Sequence, residues 1–195
     1  MSDTLSLPPF PPLEWDGYFW TGSITLPAWA GFQSRRGPYA SLSSPAPSDG
    51  AATLDVRSPD DAGALPLPEQ AAAFRHLVDG QEATRDAILR AVLDAYPERQ
   101  ALYGYEGEEA EALMPDIEIP EQLRALIGLS GVHLFAIAKD GIAYVGYEFG
   151  CRWDDEHGLG AMTHAGRVVE VGGADTAILE WIATGDGGKT AESMP

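Results

Sequence analysis

The residues of this chain best equipped for chemistry crowd between Tyr144 and Asp175: Glu148, Cys151, Arg152, Trp153, Asp154, Asp155, Glu156 and His157. Glu148, Asp154, Glu156 and His157 could bind a divalent metal through carboxylate oxygen and imidazole, as in a metal-dependent hydrolase or a ligand-binding domain. Against that, the consecutive side chains from Asp154 to His157 cannot all converge on one ion. The run lacks the alternating acids and later glutamate of a calcium-hand loop, and the interval from His157 to His164 matches no zinc spacing. Cys151 with His157 or His164 could supply a nucleophile and a base. No nucleophile elbow or cysteine-enzyme signature surrounds it, and a lone cysteine at a strand end more often fills apolar space. Glu148 stands two residues from both Gly146 and Gly150, glycines that let a backbone or a ligand approach a strand. Paired with Asp154 or Glu156 it could act in general acid–base chemistry. An ion pair with Arg152 or Arg167 explains Glu148 without any reaction, and acids that pair with Arg152 or cap local N–H groups explain the loop.

The elements that must hold these residues are legible in the patterning. Val132 to Ala138 and Ile142 to Phe149 are apolar runs joined by Lys139-Asp140-Gly141, a strong hairpin signal. LGAMTH and RVVEV, joined by Ala165-Gly166, form a second pair, so a four-strand antiparallel meander is expected with the polar cluster in its middle loop. Gly172 and Gly173 end the sheet; without a lysine or phosphate-loop glycine spacing they supply a turn rather than a phosphate site. A last helix over TAILEWIA, capped by Asp175 or Thr176, is expected to lay Ile178, Leu179 and Ile182 on the sheet.

Upstream, EWDGYFWTGSITLPAW has the aromatic and β-branched density of a strand. Residues 31–50 are rich in Gly, Ser and Pro and predict a loop, and AATLDVR a short strand. Pro68 fits the first turn of a helix. Thr84, Ala87, Ile88, Ala91, Val92 and Ala95 mark the apolar stripe of a second helix, which Pro97 is expected to end or kink. Residues 104–118 predict an acidic loop, and Pro120 to Ile127 a short helix. The result is an α+β fold: one domain over residues 10–183, with a C-terminal β-meander and a helical pair inserted between N- and C-terminal strands. Residues 1–9 and 185–195 are expected to be flexible tails. Trp15, Trp20 and Trp29 near one end and Trp153 and Trp181 near the other suit a core, or an interface.

Acids outnumber bases 30 to 12, a formal charge of -18. Such a surface repels phosphates, which excludes nucleic acid and an anionic membrane as expected partners and favours a basic protein. The single cysteine permits no internal disulfide. With neither a basic, apolar leader nor a stretch of membrane-span length, a cytoplasmic protein without a cofactor is expected.

The segments YVGYEFGCRWDDEHGLGAMTH and RVVEVGGADTAILEW, supported by YFWTGSITLP and Gln70, resemble an uncharacterised family of small acidic bacterial proteins. Its members are similar to the accessory and immunity-type proteins found beside bacterial polymorphic toxins. The resemblance transfers no catalytic residue. It implies a non-enzymatic binding domain that neutralises a basic toxin or effector, for which Asp154, Asp155, Glu156, Glu106, Glu108 and Glu109 are the expected contact residues.

Overall fold

The computed structural model describes residues 4–36, 40–60 and 63–187. Its frame is one eight-stranded sheet in the order β1-β2-β3-β6-β7-β8-β9-β10. The strands are β1 (Thr4–Leu5), β2 (Leu13–Trp15), β3 (Phe19–Thr25), β6 (Ala51–Arg57), β7 (Ile127–Lys139), β8 (Ile142–Cys151), β9 (Leu159–His164) and β10 (Arg167–Gly172). The expected meander is there, β7 to β10 in sequence order. Both of its tight turns put two consecutive residues at positive φ, Asp140-Gly141 and Ala165-Gly166, which matches the twist of the strands they join. The N-terminal strands belong to the same sheet. β6 pairs with β7 in parallel, Asp55 opposite His133, while every other pairing is antiparallel.

A parallel pair needs a long crossover, and here it carries α1 (Pro68–Asp79), α2 (Gln81–Tyr103) and α3 (Gly107–Leu113). Gln70, fully buried near the start of α1, secures this junction: its side-chain amide donates to the carbonyl oxygens of Arg57 and Leu134 and its oxygen accepts from Leu67 N. Within this crossover two elements depart from expectation. α2 runs through Pro97, because Ile88, Leu89, Val92 and Tyr96 are buried and Gln100 is anchored beyond the proline on Met114 O and Asp116. The acidic segment after Gly104 holds α3, a short helix with no buried residue.

Neighbouring residues on a strand face opposite ways, and β8 separates the two sides of the sheet. Val145, Tyr147, Phe149 and Cys151 join the large core beneath α1 and α2, where Trp29 packs on Phe149 with ring centroids 5.0 Å apart. Tyr144 points the other way, into a small cluster with Phe135, Met162, Ile182 and Ala183. Ile182 and Ala183 come from α4 (Glu180–Gly187), which follows a 3-10 turn at Ala174–Ala177. The last helix therefore starts later than its sequence suggests. Ile178 falls in the connection and is half-exposed instead of packed. The second face is also covered by a hairpin, β4 (Gln33–Arg35) and β5 (Leu42–Pro47), formed in the stretch expected to be a loop. Trp29, Trp153 and Trp20 are core residues, whereas Trp181 is exposed. The N-terminal arm contributes β1 to the sheet edge. Residues 188–195 of the expected C-terminal tail lie outside the described residues. Among the described residues no helix is long and apolar enough to cross a membrane.

Candidate functional site

The glycines around Glu148 explain the site. A Cβ on Gly146 would lie 1.8 Å from the Ala177 carbonyl oxygen, and one on Gly150 would lie 1.9 Å from that of Ala40. At these two points the 3-10 turn and the hairpin segment rest on the bare backbone of β8. Glu148, on the same face and midway between them, stands in the gap that the two coverings leave.

In that gap three strands contribute a continuous polar chain. His133 Nδ1 lies 3.3 Å from Asp55 Oδ2, and His133 Nε2 lies 3.1 Å from Glu148 Oε2. Asp55 accepts a hydrogen bond from the Thr21 hydroxyl at 3.0 Å. Ser130 donates to the Glu148 carbonyl oxygen at 3.0 Å and lies 3.4 Å from Oε1. Register makes this possible. Asp55 is directly opposite His133, while Glu148 is opposite Gly131 and His133 opposite Gly146. With no side chain on either glycine, Glu148 and His133 meet on the diagonal. Burial disfavours the imidazolium, but the contacts and charges of Asp55 and Glu148 outweigh it and push the His133 pKa up to about 9. At neutral pH His133 is therefore the cation of the chain, with Glu148 at the chain's open end.

Two adjoining hollows of ≈ 330 and ≈ 380 Å³ share Ala40 and Glu148. Ser23, Thr53 and Ser130 line the first, while Glu156, His157, Asp175 and Ile178 help to line the second. The space beside His133 itself is only ≈ 20 Å³, enough for about one water. Glu148 is thus the member of the chain that a ligand could reach.

The acidic end of the molecule adjoins this cleft. Tyr103 donates to Asp154 Oδ2 at 2.5 Å, and Tyr105 to the Trp153 carbonyl oxygen at 2.8 Å. These bonds tie the loop after β8 to the start of α3. Glu106, Glu108 and Glu109 are exposed there.

A family model described as Domain of unknown function (DUF6985) matches residues 22–179. The chain belongs to this family. No curated protein and no solved structure matches it. The DUF6985 match spans Asp55, His133 and Glu148 together with the loop 152–158 and α3.

Within that domain the four sequence candidates for a metal divide. Glu148, Glu156 and His157 line one hollow, but the Asp154 carboxylate turns to the helical side and caps its own loop. Its Oδ1 accepts from the backbone N–H groups of Glu156 and His157 and lies 3.2 Å from His157 Nδ1. Although burial works against its charge, the Tyr103 hydroxyl and the His157 N–H hold its carboxyl below the ordinary range. Among the described residues no three His, Cys, Asp or Glu side chains are grouped to hold a metal. Asp155 pairs with the buried Arg35 at 2.9 Å, so its expected partner Arg152 is replaced by a residue from β4.

Cys151 is fully buried, and its thiol contacts Asp154 O at 3.4 Å; burial pushes its pKa up to about 12. His164 is bonded to the Lys139 and Ile142 carbonyls of the β7–β8 turn, so neither histidine considered in the sequence serves the thiol. Glu148 pairs with His133, not with Arg152 or Arg167. The residues missed from sequence were His133 and Asp55. Their signal was a polar side chain in the middle of an otherwise apolar alternation, VHLFAIA and AATLDVR, but nothing in the sequence aligns one with the other.

Proposed function

We propose that this protein is a non-enzymatic binding domain for a basic protein partner, as an immunity or inhibitor protein of the cytoplasm would be. The observation that carries this reading is the joining of two acidic segments far apart in sequence. Tyr103 and Tyr105 stack with centroids 5.8 Å apart and bond to the loop that displays Asp155 and Glu156, while Glu106, just before α3, and Glu108 and Glu109 within it are displayed beside them. α3 buries none of its residues, so its side chains are spent on solvent or on a partner. A negative face of this kind accelerates encounter with a cationic surface and weakens with salt.

The test is affinity capture from the source organism at low and moderate salt, followed by binding kinetics with the captured protein. The variant replaces Glu106, Glu108, Glu109 and Glu156 by Gln. Asp155 is left in place because its loss would strand the buried Arg35. A single stoichiometric basic partner is expected, with association slowed roughly tenfold in the variant at low salt. Unchanged kinetics in the variant, or no partner together with turnover of a small molecule, would defeat the proposal.

A further inference from the structure

We infer that the cleft over Glu148 is a binding site for a primary alkylammonium group. Its floor presents one oriented carboxylate. Oε2 is fixed by His133, whereas Oε1 has only the long 3.4 Å approach of Ser130, so it keeps acceptor capacity directed at the open space. Ser23, Thr53 and Ser130 supply hydroxyl acceptors around it. The walls are apolar where an alkyl chain would lie, with Ala174 and the half-exposed Ile178.

Charge selects the sign of the ligand. Glu156 and Asp175 line the second hollow, and Arg36, which lines the first, is paired with Asp49 at 2.7 Å. A phosphate or carboxylate would meet net negative charge here, whereas an ammonium head would gain a charge-assisted hydrogen bond to Glu148. The two hollows fall within the size range of small-ligand sites, and their alignment on either side of Glu148 suits a linear chain.

The inference does not depend on the acidic end being a partner surface, and the experiment involves no partner. The full chain is titrated with 1,5-diaminopentane, N-acetyl-lysine amide and the neutral 1-pentanol, following backbone amide NMR shifts at roughly 0.15 M salt, where surface charges are screened. The expected result is saturable shifts confined to the residues lining the two hollows, among them Ser23, Thr53, Ser130, residues 146–150 and residues 174–178, for the amines and none for pentanol. Glu148→Gln should weaken amine binding about tenfold or more, and Ile178→Ser, at a half-exposed wall position that also borders the small space beside His133, about threefold. Tighter binding of the diamine identifies a free polyamine as the ligand; tighter binding of the lysine amide identifies a side chain of another protein. Non-saturating shifts spread over α3, equal shifts with pentanol, or wild-type affinity in Ile178→Ser would overturn the assignment.

Discussion

His133 is the residue whose environment departs furthest from what its type suggests. An imidazole between two carboxylates is held as a cation, and this has a stability consequence with a definite sign. Below about pH 6.5 the ring is protonated folded or unfolded, and the full benefit of Asp55 and Glu148 is present. As the pH rises from there through the folded value of about 9, the benefit is lost. The shift sets an upper bound of roughly 3 kcal/mol. Urea unfolding of the wild type should therefore show stability falling between about pH 6 and pH 9.5, with a much smaller fall in His133→Gln. Equal slopes in the two proteins would show that His133 is not the titrating group. Cys151 offers a second test at this scale. A fully buried thiol with its pKa at about 12 should resist iodoacetamide in the native protein and react only after unfolding. Rapid native labelling would revive Cys151 as a nucleophile.

At the scale of elements, β8 acts as the keel of the molecule, and its glycines set where other segments touch it. Gly146→Ala would drive a methyl into the Ala177 carbonyl, so the 3-10 turn must lift and α4 with it. A loss of roughly 3 kcal/mol or more is expected, from overpacking and a displaced Ile182. Gly185→Ala, in α4 with open space around it, should be neutral or stabilising by up to about 1 kcal/mol. Thermal unfolding of the two variants side by side checks both, and similar melting temperatures would contradict the packing described here. The same glycines show why the site was half legible. GYEFG announces that something approaches the strand, but not that the visitors are Ala40 and Ala177. The hairpin β4–β5 went unseen for a related reason: its residues are Pro- and Ser-rich and mostly exposed, so no apolar alternation marks them.

At the scale of the whole molecule, the sheet divides labour between its faces. One face carries the core, with α1, α2 and Trp29 sealing Tyr147 and Phe149. The other is covered at two places and open between them, and the opening holds the half-buried chain of Asp55, His133 and Glu148 that crosses β6, β7 and β8. The acidic end lies at the rim of this opening, since the loop 152–158 sends Asp154 toward α2 and Glu156 and His157 toward the cleft. A partner seated on the acidic end would therefore also border the cleft.

The sequence by itself determined the α+β class, the meander and its turns, the helical pair and the net charge, because these follow from local periodicity, turn chemistry and composition. The Asp-Gly and Ala-Gly turns needed only their neighbours in the chain. The tertiary structure alone decided that the N-terminal strands enter the sheet through the parallel β6–β7 pairing. It also decided that Asp55 and His133 become partners and that Glu148 leans on His133 rather than on an arginine. Those outcomes depend on strand order and register, which are settled by how the whole apolar face fits beneath the helices. No local pattern around Asp55 records which strand will lie beside it.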